Sequence, residues 1–102
     1  MKNRKKVENM EKYTEILCLK EMLKESNVPF HIFRRLDGYQ ILYPNIHTPR
    51  CSIIQHEFSY GGKDNLIEIQ GLLTIEERKS SSVLGYLDAK NVFERIKKDF
   101  NN

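Results

Sequence analysis

The sequence predicts an α+β domain: an antiparallel sheet of about five strands, with an N-terminal and a C-terminal helix packed on one face. Three observations carry that expectation. Stretches with a 3.6-residue apolar period lie near the two ends of the chain. Between them run about five short β-prone segments separated by turn residues. The connections are short, which favours antiparallel pairing with both helices laid on the sheet.

Residues 6–26 read as the first helix. Met10, Tyr13, Ile16, Leu17, Leu19 and Leu23 fall on one broad side, and Asn27 with Pro29 ends it. FHIFRRL and YQILYP flank Asp37-Gly38, a pair that favours a two-residue type I′ hairpin. That geometry predicts Leu36 opposite Tyr39, Arg34 opposite Ile41 and Ile32 opposite Tyr43, on a core-facing side where Arg34 is the exception. Pro44 and Pro49 bracket a loop. CSIIQHEF, residues 51–58, makes a third strand, LIEIQGLL a fourth and SSVLGYL a fifth. Thr74 to Glu77 is a capping-box pattern opening a short helical turn. Asp88 suits the N-cap of the last helix, whose apolar stripe is Ala89, Val92, Phe93, Ile96 and Phe100. Lys97 and Lys98 sit in its final turns, where positive charge suits the helix dipole.

Of 102 residues, 39% are apolar and 30% charged, the balance of a globule with one modest core. No run approaches the roughly 18 apolar residues of a membrane span, and the basic start has no apolar stretch behind it to make a secretory signal. Two cysteines, Cys18 and Cys51, make no disulfide framework, which points to a reduced, intracellular chain. The net charge of +3 is concentrated at the start: Lys2, Arg4, Lys5 and Lys6 are four of the 17 basic residues, leaving 13 against 14 acidic ones. Residues 1–6 therefore read as a basic flexible tail ahead of a single α+β domain, residues 7–102. A nucleic-acid-binding domain carries its basic stripe on the folded surface, so nucleic acid is not the favoured partner.

HEFSYGGKDN, residues 56–65, concentrates the reactive residue types. His47, Cys51 and His56 are metal-ligand types, yet a strand over 51–58 puts Cys51 and His56 on opposite faces. CxxC and HxxxH spacings are missing too, so no metal site is expected, and the same facing denies a Cys51–His56 nucleophile pair. Gly61-Gly62-Lys63 keeps only the end of a phosphate-binding loop, with Asp64 where the hydroxyl belongs and a strand following. The glycines read first as turn residues. No cofactor is expected, and His31, His56 and Glu57 are the acid–base groups an enzyme could draw on.

Alternation in the third strand points Ile54 and Phe58 toward the core with His56 between them, and turns Gln55 and Glu57 outward. Gln40, Gln55 and Gln70 then share an open polar face with Glu57, Glu68 and Arg35. Rimmed by Tyr60 and the glycine loop, that face is the expected contact surface. Its candidate residues are Gln40, Gln55, Glu57, Tyr60, Gly61, Gly62 and Lys63.

Four blocks, DGYQILYP, CSIIQHEFSYGG, LIEIQGLLT and SVLGYLDAKNVFERIKK, together resemble a family of small uncharacterised proteins encoded in bacterial phages and prophages. The resemblance spans roughly residues 14–98 and includes no catalytic signature. It implies a phage-encoded accessory protein acting in the cytoplasm of the bacterial host, and it assigns no functional residues. The expected function is a non-enzymatic binding domain for a host or phage macromolecule. The alternatives are a small-ligand or nucleotide-binding protein using Gly61-Gly62-Lys63, and a DNA-binding regulator using residues 2–6 with Arg34-Arg35. A bare sheet face, a sheet edge or the first helix leaves a homodimer open.

Overall fold

A computed structural model describes residues 11–102. The basic tail and Met10 lie outside the described residues. Five strands pair antiparallel in chain order: β1 (His31–Arg35), β2 (Gly38–Tyr43), β3 (Cys51–Gln55), β4 (Ile67–Gln70) and β5 (Val83–Leu87). Helix α1 (Thr14–Glu25) precedes the sheet and α3 (Ala89–Phe100) follows it, while the short α2 (Ile75–Ser80) joins β4 to β5. Helices α1 and α3 touch each other. They bury Ile16, Leu19, Leu23, Val92 and Ile96 against Ile41, Ile53, Ile67 and Ile69 of the central strands. Phe33, Gln40, Leu42, Ser52, Ile54 and Glu68, on the opposite face, are only half-buried. This is the α+β architecture that the sequence predicts.

Helix α1 begins later than its periodicity suggests. Residues 11–13 are not helical, and Tyr13 takes the N-cap position with φ −111° and ψ 76°. Tertiary contacts hold this segment out of the helix: the Tyr13 ring is buried, its hydroxyl donates to Asp37, and Glu11 accepts from the Tyr39 hydroxyl. The C-terminus closes as a Schellman motif. Asn27 turns left-handed at φ 57°, the Val28 N–H reaches the Leu23 carbonyl at 3.0 Å, and the Asn27 N–H reaches Lys24 at 3.1 Å.

The β1–β2 hairpin forms, but two residues out of the predicted register. Arg35 pairs with Gly38, Arg34 with Tyr39 and Ile32 with Ile41, so Leu36 and Asp37 are the turn and Leu36 holds φ 54°. The two-residue shift preserves the faces, as the period of a strand requires. Gly38 explains the shift: it lies against β3, where a Cβ would overlap the Gln55 carbonyl oxygen. The glycine serves a close backbone approach rather than the turn.

Strand β3 ends at Gln55, and its facing is the reverse of the expectation. Cys51, Ile53 and Gln55 are buried on the helix side, whereas Ile54 lies on the open face and Phe58 is largely exposed beyond the strand. The fourth strand is shorter than LIEIQGLL, ending at Gln70 before left-handed Gly71 and Leu72, and Phe100 at the end of the α3 stripe is exposed, but both expected helix caps form. Thr74 and Glu77 form a reciprocal capping box, and Asp88 accepts from the Asn91 N–H at 2.8 Å as N-cap of α3.

Candidate functional site

Antiparallel order brings the β1–β2 turn, the β3–β4 connection and the exit of β5 to one end of the sheet. HEFSYGGKDN is that middle connection. It opens as a compact turn: the His56 N–H donates to Ser59 Oγ at 3.0 Å, and Ser59 Oγ donates back to the His56 carbonyl at 2.9 Å. His56 is itself buried, with Nδ1 accepting from the Phe58 N–H at 3.1 Å. A short 3-10 turn, Gly62–Asp64, follows. Gly61 holds φ 94°, and a Cβ on Gly62 would overlap the His56 carbonyl oxygen. Both glycines are buried, and the Gly62 N–H already donates to the Ser59 carbonyl at 3.0 Å. The loop is folded on itself.

Its last residue ties it to α1. Asn65, at φ 58°, accepts through Oδ1 from the N–H groups of Thr14 at 3.0 Å and Glu15 at 3.2 Å. Gln55 Oε1 accepts from Ile16 at 2.9 Å, and Gln55 Nε2 donates to Asn65 Oδ1 at 2.7 Å. Two neutral side chains, 39 to 51 positions downstream, thus cap the first three donors of a helix whose own N-cap residue makes no side-chain cap. Helix α1 passes the arrangement on, because Glu15 Oε1 accepts from the first N–H of α3, Ala89, at 2.7 Å.

Gln55 is therefore a core residue and leaves the expected polar face. Gln40 stays on that face, half-buried, donating to Ser52 Oγ at 2.8 Å. Glu57, Tyr60 and Lys63 are exposed at the sheet end, while Gly61 and Gly62 are buried beneath them. The structure gathers Glu57, Tyr60 and Lys63, and separates Gln40 and Gln55 from them onto opposite faces of the sheet.

Sequence reasoning missed Leu36, Phe58 and Tyr86. With Tyr60, these four are 63%, 73%, 61% and 60% exposed respectively, in the order Leu36, Phe58, Tyr86, Tyr60, and all stand at this end. Hydrogen bonds join the segments that carry them. The Glu57 N–H donates to Asp37 Oδ1 at 2.9 Å, joining the loop to the Leu36 turn. The Tyr86 N–H donates to the Tyr60 carbonyl at 3.2 Å, joining it to β5. Tyr86 belongs to a β-bulge, since Gly85 and Tyr86 together oppose Glu68 alone, and Tyr86 is left at φ 61°. No sequence pattern announces that bulge, and Phe58 sits where alternation gives it to the core.

The charges around this surface are of both signs: Lys12, Lys63, Asp37, Glu57 and Asp64. Asp37 is held below the usual carboxylate range, chiefly by the Tyr13 hydroxyl and then by the Glu57 N–H. Burial, then Asp37, pushes the Tyr13 phenol up to about 12. A cleft of about 260 Å³ lies among Lys12, Tyr13, Glu57, Gly62 and Lys63, below the usual size of a small-molecule pocket. Two larger grooves run along Leu72 and Leu73 at the opposite end, and a third lies between α1 and α3 beside Cys18, Met22 and Phe93.

Cys51 starts β3 on the core side, its thiol pushed up to about 12 by burial, while His56 follows the other end of that strand and His47 lies in the β2–β3 loop. Among the described residues no group of three or more His, Cys, Asp and Glu is placed to hold a metal ion. Arg34 and Arg35 point to opposite faces of β1. Compared with protein-family models, with curated proteins and with solved structures, the chain finds no match in any of the three.

Proposed function

We propose that this chain is a phage-encoded accessory protein that acts in the bacterial cytoplasm as a non-enzymatic binding domain. Its recognition surface is the sheet end displaying Leu36, Phe58, Tyr60 and Tyr86, and its partner is a host or phage protein. One observation carries the reading: four of the seven exposed large apolar residues among the described residues stand at this end of the sheet. Leu36 and Tyr86, moreover, are displayed from left-handed backbone at φ 54° and 61°. Such conformations cost a bulky side chain on the order of 1 kcal/mol or more and concentrate at functional positions. Exposed apolar area and strained backbone both work against stability, so their coincidence needs a use.

Aromatic anchors within a rim of mixed charge suit a protein partner; a polyanion would select for one sign. Of the residues an enzyme would draw on, His56 is engaged by the Phe58 N–H and Cys51 is buried, while exposed His31 begins β1 at the opposite end of the sheet from exposed Glu57. No helix among the described residues is long and apolar enough to cross a membrane. The phage and cytoplasmic setting rests on the resemblance of the four sequence blocks.

A photo-crosslinking amino acid in place of Tyr60, compared with one in place of exposed Ile46 on the β2–β3 loop, tests the reading in the bacterial host. A discrete protein adduct is expected from position 60 and not from 46, and Phe58→Ala with Tyr86→Gly should remove it. Adducts identical at both positions, or none at 60, refute the surface.

A further inference from the structure

We propose that the outer edge of β1 is a second docking site, independent of the sheet end, at which an extended acidic segment of a partner protein adds to the sheet as a sixth strand. The sheet order leaves β1 and β5 as edges, and the two are treated differently. Strand β5 is broken by the Gly85–Tyr86 bulge, and the Tyr86 N–H is taken by the Tyr60 carbonyl. Bulges of this kind blunt an edge against further pairing. Strand β1 has no such interruption. All five of its residues pair with β2 in unbroken register, from His31 with Leu42 to Arg35 with Gly38. Among the described residues no strand lies on its other side. Along roughly 17 Å of edge, alternate N–H and C=O groups face outward.

The side chains select the occupant. His31, Phe33 and Arg35 share the open face of β1, and Ile32 and Arg34 the other. Arg35 is exposed and makes no ion pair with a described carboxylate. Arg34 is exposed too, stacked 4.8 Å from the Tyr39 ring and donating to its hydroxyl at 3.0 Å, which leaves part of the guanidinium fork available. Tyr39 in turn donates to Glu11, which sets one carboxylate near Arg34. A second copy of the chain is a poor occupant. Antiparallel pairing about Phe33 would set the two copies' Arg34 side chains diagonally across the seam on one face, and β1 carries no carboxylate to meet them. An acidic strand meets the same row favourably, with main-chain bonds giving affinity and carboxylates opposite His31, Arg34 and Arg35 giving direction.

The probe is the blocked heptapeptide Thr-Glu-Glu-Val-Val-Glu-Thr, titrated into the whole chain and followed by amide NMR. Shifts and slowed hydrogen exchange are expected along residues 31–35, weakening at least tenfold with Arg34→Glu plus Arg35→Glu. Replacing the probe's glutamates by glutamine should weaken it similarly, a control that needs no variant to fold. A probe of equal charge with alternate backbone nitrogens methylated should not bind, because it cannot complete the ladder. Undiminished binding of the methylated or the glutamine probe, shifts centred elsewhere, or none on β1 at millimolar peptide would each overturn the proposal.

Discussion

Where β2 gives way to β3, charged groups hold the structure. Arg50 meets Asp99 through two bonds of 2.9 and 2.7 Å, and the Tyr43 hydroxyl adds a third at 2.7 Å. Nearby, Arg95 clasps Glu77 with two bonds of 2.8 Å and reaches the Leu72 carbonyl at 3.0 Å, fastening α2 to α3. The opposite end is fastened by amides: Gln55 and Asn65 cap α1, and glycines let the chains touch. The first end keeps its charged side chains for itself. The second closes chiefly with amides, with the Asp37 and Glu15 carboxylates accepting backbone N–H groups, and its exposed rings and Lys63 are left over for contact. Much of what one end of this small domain uses for cohesion, the other has available for recognition.

Gln55→Leu should give the largest effect and breaks the comparison most directly. It orphans the Ile16 N–H in the core and removes the donor to Asn65 Oδ1, at a cost of about 3 kcal/mol in urea unfolding. A cost below about 1 kcal/mol would mean that amides do not hold this end.

Glu77→Gln probes the charged end. The Arg95 guanidinium, with the Thr74 N–H, lowers the Glu77 carboxyl from 4.5 to about 2. A carboxyl depressed by folding stabilises fully above its unfolded value, and that contribution drains as pH falls from about 4.5 toward about 2. Discounted for a side chain about a quarter exposed, the loss is about 1–2 kcal/mol. Stability curves of wild type and Glu77→Gln should converge over that window and run parallel above pH 6. A constant gap down to pH 2 would deny the ion pair its role.

Leu36→Gly and Tyr86→Gly should each stabilise the protein by about 0.5–1 kcal/mol, because glycine removes the left-handed strain beneath an exposed side chain. Leu72→Gly sharpens the contrast. Leu72 also holds a positive φ, 59°, but its side chain packs on the core, so there the substitution should destabilise. Thermal midpoints moving the same way in all three would remove the argument that strain at the loop end serves display. Phe58→Ala should have the smallest effect, within about 0.5 kcal/mol of wild type, while losing the crosslinked partner.

Local rules made most of the fold legible. The Thr74–Glu77 capping box, the Asp88 N-cap, the α3 stripe as far as Ile96 and the alternating burial of β3 each rest on neighbours in sequence, and each is present. What escaped depends on partners far along the chain. Asp37-Gly38 reads as a turn until β3 is laid against Gly38, and CSIIQHEF offers two faces of similar polarity. The choice between those faces falls to α1, whose unsatisfied N–H groups need an acceptor where Gln55 stands. A glutamine inside a strand says only that a polar group must be satisfied; water and a helix terminus satisfy it equally well on paper. The exposed cluster was hidden for the same reason, since a bulge at Gly85–Tyr86 and a turn at Leu36 exist only in the assembled sheet.

The remote capping of α1 has a consequence for synthesis on the ribosome. Helix α1, made ahead of the sheet, must wait for residue 65 before its opening turn is complete, roughly 2–10 s at ordinary elongation rates. Its Glu15 then completes α3, which follows the sheet. The nascent chain thus closes as a ring of obligations, and a product released before Asn65 would carry an unfinished amphipathic segment with its apolar side bare.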